Sequence, residues 1–144
     1  MTGPMTTDIA DLLDFLNLML ECERAGAKAL RFFEQQAAPP ALARALPALA
    51  RDEARYCVLL SREITRLGGT PTSRTGDFFA AITALPDWPA RLDLLVRGQA
   101  WVARRLAERL DRVTDPDLKA ALSEMHATHL VNVDEARRLA LAIT

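Results

Sequence analysis

The stretch "LMLECERAGAKAL", residues 18–30, decides how the chain folds. Stepped at helical spacing, Ile9, Leu13, Leu16, Leu20, Ala27 and Leu30 recur on one face, and the slot that completes the series is Glu23. An unpaired carboxylate among leucines is costly to bury. Its neighbour Glu21 falls with Asp14, Asn17 and Lys28 on the opposite, polar side, so the anomaly belongs to Glu23 alone.

Outward from this helix the chain reads as all-α. Ala, Leu, Arg and Glu dominate, β-branched residues are sparse, and no stretch alternates with period two for long. Helix A begins near the capping cluster Thr6, Thr7 and Asp8 and runs to about Gln36, where "AAPP" stops it. Helix B occupies residues 41–67 and ends at Gly68 and Gly69, a pair suited to a left-handed C-cap. Pro47 either kinks helix B or marks its true first turn after a short helical lead-in. Helix C spans residues 89–113. Helix D opens at "TDPDL", where Asp115 as N-cap, Pro116 at the first position and Asp117 against the helix dipole agree. About twenty residues between B and C carry the short apolar piece "DFFAAITAL", read as a half-helix packed on the bundle. Short, long and short links predict two antiparallel hairpins joined by a crossover, a four-helix bundle in a single domain over residues 1–144.

Each helix carries a polar interruption in its apolar stripe. In helix B, Leu42, Leu46, Leu49, Cys57, Leu60, Ile64 and Leu67 leave Glu53 as the missing member. In helix C the stripe is completed by Gln99, and in helix D by His129 and Asn132, with His126 one turn before His129. Glu23 and Glu53 lie 15 residues either side of position 38, and Gln99 and His129 lie 15 either side of position 114. At about 1.5 Å rise per residue each is roughly 22 Å from its turn. All four are therefore expected in one layer of the core. Gly26 and Gly98 flank that layer, and close approach of the backbones is a motive for placing glycine inside a helix.

Composition excludes several classes of function. Lys plus Arg number 18 against 19 for Asp plus Glu, spread along the helices, which gives no electrostatic basis for nucleic acid or an anionic membrane as partner. The N-terminus lacks a basic segment followed by an apolar run, and no apolar run approaches the twenty or so residues of a membrane span, so a cytoplasmic protein is expected. Cys22 and Cys57 form no CxxC pair and read as ordinary buried thiols. No phosphate-binding glycine loop or serine nucleophile motif is present.

Through "LECERAGAKAL", "RDEARYCVLL" with "LGGTP", "RGQAWVARRL" and "MHATHLVNV", the chain resembles the ferritin-like superfamily, and more closely an uncharacterised bacterial ferritin-like family related to the rubrerythrins. The resemblance implies an antiparallel four-helix bundle. It also implies a metal site built from one Glu on each of two helices and a Glu-x-x-His on each of the other two, holding two iron or manganese ions. Glu23 matches the helix-A carboxylate, and Glu53 opens the helix-B motif with Tyr56 in place of its His. Gln99 replaces the helix-C carboxylate; His129 matches the helix-D histidine, while His126 stands where that motif has Glu. Two adjacent divalent cations need more carboxylates than Glu23 and Glu53, so a full di-iron centre is not expected. The surviving set implies one iron or manganese ion on Glu23, Glu53, His129 and His126, with Tyr56 and Gln99 behind the ligands. The alternative is a metal-free buried network in a non-catalytic interaction bundle, its two carboxylates sharing a proton or pairing with His, Tyr or Arg. The apolar surplus, including Phe32, Phe33 and Trp101, adds the expectation of a homodimer, as such bundles often pair side to side.

Overall fold

A computed structural model describes residues 3–143, with side chains from position 8 onward. Its helices are α1 (Gly3–Glu34), α2 (Pro40–Arg66), α3 (Phe78–Thr83), α4 (Trp88–Leu110) and α5 (Pro116–Ile143). α1 pairs with α2 and α4 with α5, each as an antiparallel hairpin, and α3 lies on the long link between them.

The joints follow from local chemistry. Pro40 opens α2 at a position whose N–H would have no helical partner. At its other end Gly68 adopts φ +90°, and its N–H bonds the Thr65 carbonyl while that of Gly69 bonds Ile64, which satisfies two of the last carbonyls of the helix. Asp87 caps α4 by accepting from the Ala90 N–H at 2.8 Å, and Asp115 caps α5 by accepting from Leu118 at 2.8 Å.

The crossover climbs the polar side of α1. Asn17 donates to the Thr70 carbonyl and accepts from the Thr72 N–H, Arg24 donates to the Arg74 carbonyl, and Lys28 donates to the Thr75 hydroxyl. Phe79 of α3 then meets Phe32 edge-on, and Trp88 meets Phe33, so α4 begins beside the end of α1 and descends until Arg109 pairs with Asp11. α1 and α5 thus run one way and α2 and α4 the other, which puts Glu23 across the bundle axis from His129 and Glu53 across from Gln99.

Several sequence expectations shift. α1 starts at Gly3, so the cluster at 6–8 lies inside the helix; a proline at position 4 is tolerated in a first turn. α4 stops at Leu110 rather than Val113. Pro47 sits inside a continuous α2. It faces solvent, as does Ala43, whose carbonyl loses its helical donor to the proline and can bond water instead. Asn132 is drawn out of the core to donate to Asp52 at 3.1 Å. Phe33 is fully buried, and Phe32, partly buried, packs edge-on to Phe79. No helix among the described residues is long and apolar enough to cross a membrane.

Candidate metal centre

The core divides into two apolar clusters. One gathers Phe15, Leu16, Met19 and Leu20 with Leu60, Ile64, Leu106 and Leu122; the other gathers Leu30, Phe33, Leu42, Leu46, Leu92 and Leu139. Between them lie the buried polar side chains Glu23, Glu53, Gln99 and His129, with 1%, 4%, 5% and 2% of their surface exposed. The four residues counted to equal height from their turns do meet.

His129 sets the polarity of the layer. Its Nδ1 donates to the Met125 carbonyl at 2.9 Å, and because a carbonyl only accepts, this bond fixes the proton on Nδ1. Nε2 then faces the Glu23 carboxyl, 3.1 Å from Oε2 and 3.0 Å from Oε1. Gln99 Nε2 donates to Glu53 Oε1 at 3.1 Å. After these bonds Glu23 Oε1, Glu53 Oε2 and Gln99 Oε1 have no partner among the described residues. Three buried acceptors lack a donor among the described residues, a deficit that protons on the carboxyls or a cation must meet.

The carboxyls reflect it. Burial pushes the Glu23 carboxyl up to about 8, and a hydrogen bond with Glu53, available once one carboxyl carries a proton, offsets part of the rise. Glu53 is held well above the usual carboxylate range by burial first and then by the Glu23 charge, with His129 pulling the other way. One ligand atom each from Glu23, Glu53 and His129 falls within 4.8 Å of the others, the only such group of three His, Cys, Asp or Glu residues among those described. These distances suit a divalent cation at the centre, and Nδ1–H bonded to a carbonyl is the usual orientation of a metal-bound histidine.

His126 is only partly buried and lies outside this group, on the next turn of α5 and rotated away from the axis. Tyr56 is fully buried; its hydroxyl donates to Thr128 Oγ1 at 2.7 Å and accepts from Arg55 at 2.9 Å, with its ring 5.8 Å from that of His129. It braces the imidazole from behind. Cys22 and Cys57 are free thiols, each pushed up to about 12 by burial first and then by the charge of Glu23, so both stay protonated at neutral pH.

Counting along the helices missed the role of Gly26. A Cβ there would stand 3.0 Å from Glu53 Cδ and 3.1 Å from both its oxygens, so the bare Cα makes room for a carboxylate, where the sequence suggested room for a backbone. Gly26→Ala should favour the helix by about 1 kcal/mol yet displace Glu53. The expected outcome is a melting temperature near or above wild type with metal affinity at least tenfold lower, checked by calorimetric titration. The braces Met125 and Thr128 were also missed; only the clustering of "MHATHL" around His129 hinted at them.

Fold and layer together define a ferritin-like helical bundle with a buried carboxylate and histidine cluster. The chain belongs to the family described as "Domain of unknown function (DUF6306)", whose model matches residues 10–139. Among solved structures it is similar to one titled "Crystal structure of ferritin like, diiron-carboxylate proteins from Bacillus anthracis str. Ames", at 19% identity and a TM-score of 0.81, covering 92% of this chain and 97% of that one. No curated protein matches the chain by sequence.

Proposed function

We propose that the chain binds one divalent iron or manganese ion through Glu23, Glu53 and His129 and serves oxidoreductase or oxygen-handling chemistry. The observation that carries this reading is the convergence of buried Glu23 and Glu53 oxygens, two of them without a donor, with a ring nitrogen of His129. Without a cation the layer needs protons on its carboxyls to supply the missing donors, whereas one divalent ion would meet Glu23, Glu53 and His129 together. The neighbour's title as a diiron-carboxylate protein supports iron. Two carboxylates balance the charge of one divalent ion and not of two, and Tyr56 and Gln99 stand where further ligands would be needed.

Bound there, iron or manganese supplies redox chemistry and open positions for an exogenous small molecule. The chain's own residues do the rest. Met125 holds the imidazole tautomer, Gln99 orients Glu53, Gly26 admits its carboxylate, and the apolar clusters pack against the layer above and below.

Electron-spin-echo spectroscopy of manganese-loaded protein tests the ligand set. Imidazole nitrogen coupling is expected in wild type and absent in His129→Gln, while His126→Gln retains it. Coupling that survives in His129→Gln, or never occurs, contradicts the assignment.

A further inference from the structure

We propose that a cavity beside the carboxylate layer binds a small neutral molecule, largely apolar, with a single hydroxyl group that donates to Gln99. This deepens the reading above, since it names the class of small molecule the same centre would receive.

α1 and α4 touch at few points, and the gap between them is a half-enclosed cavity of about 250 Å³. Phe78 of α3 covers it, and Leu95, Trp101 and Val102 of α4 form an apolar wall. Phe78 reaches this place because α4 carries glycine at 98; a Cβ there would stand 2.8 Å from Phe78 Cε1. The short helix on the crossover and the glycine facing it are thus two parts of one enclosure. An apolar cavity of about 150 Å³ takes up benzene, so the volume here suits a molecule of about ten non-hydrogen atoms.

The inner end of the cavity sets the head group. Glu23, Glu53 and Gln99 all line it, and each carries an unpartnered acceptor. Three acceptors call for a donor, and two carboxyl groups disfavour an anion. Gln99 Nε2 donates to Glu53 Oε1, and an amide oxygen only accepts, so Gln99 Oε1 needs a donor from elsewhere. Oxygens of Glu23 and Glu53 converge with His129, which leaves Gln99 Oε1 as the neutral acceptor at the cavity.

The test uses three probes of matched size on chelator-treated protein, so that failure to bind metal leaves it intact: 3-phenylpropan-1-ol, butylbenzene and 3-phenylpropanoate. Trp88→Phe leaves Trp101 at the cavity wall as the sole tryptophan reporter, and calorimetry on the unsubstituted chain gives the same affinities independently of that variant. Binding of one alcohol per chain is expected, about fivefold to tenfold tighter than butylbenzene, as one net hydrogen bond allows. The carboxylate should show no saturable binding, and Gln99→Leu should bring alcohol and hydrocarbon to equal affinity. The proposal is overturned if no probe saturates below its solubility, if butylbenzene or the carboxylate binds as tightly as the alcohol, or if the preference persists in Gln99→Leu.

Discussion

Glu23→Gln is expected to stabilise the chelator-treated protein at pH 8 by on the order of 3–5 kcal/mol and to change little at pH 4. In the folded chain the Glu23 carboxyl is raised from 4.5 to about 8. Below the lower value the group is protonated whether the chain is folded or unfolded, and it costs nothing. Between the two, the unfolded chain releases its proton and the folded chain keeps it, so stability falls steadily as pH rises; above about 8 the loss is complete. Each unit of difference is about 1.4 kcal/mol, which sets the size of the effect. Glutamine has the shape of the protonated acid without the liability, and its amide can donate to the His129 lone pair. Urea unfolding at pH 4, 6 and 8 is the check. Parallel curves for the two proteins at every pH would mean that Glu23 folds as an already neutralised or hydrated carboxylate.

Metal should reverse this dependence. A cation that displaces the proton from the carboxyl pair binds more tightly as pH rises, so ferrous or manganous ion is expected to stabilise wild type more at pH 8 than at pH 5. At free metal one hundredfold above the dissociation constant the gain is about 2.7 kcal/mol, a rise in melting temperature of roughly 8–10 °C for a chain of this size. Glu23→Ala should lose the whole of that rise. It removes one of the two charges that balance the ion and one of the three converging ligands, and leaves the His129 lone pair facing a hole. A metal-dependent shift that is unchanged in Glu23→Ala would place the ion elsewhere on the chain.

The fold was legible because its signals are local. Gly68 needs a left-handed conformation, Asp115 followed by Pro116 needs a helix start, and both do locally what their chemistry requires. The layer was legible for a different reason: hairpins conserve height, so equal counts from a turn bring Glu23 to Glu53 and Gln99 to His129. What escaped were features that depend on rotation about the helix axis and on neighbours distant in sequence. His126 and His129 are three residues apart, about 60° short of a full turn, and only His129, which completes the apolar series, is buried. Asn132 fitted the inward stripe but had Asp52 within reach at the bundle edge. Phe78 belongs to a crossover whose path is set by Arg24 together with Asn17 and Lys28, the last two of which read from sequence as a polar face. The cavity it covers has no signature along the chain.

A single-ion centre fixes the stoichiometry of the loaded chain. Anaerobic titration of chelator-treated wild-type protein with ferrous ion, followed by elemental analysis after desalting, should give one iron per chain, and none in Glu23→Ala. Retention of no iron by wild type, or of two per chain, would contradict a single-ion centre on Glu23, Glu53 and His129.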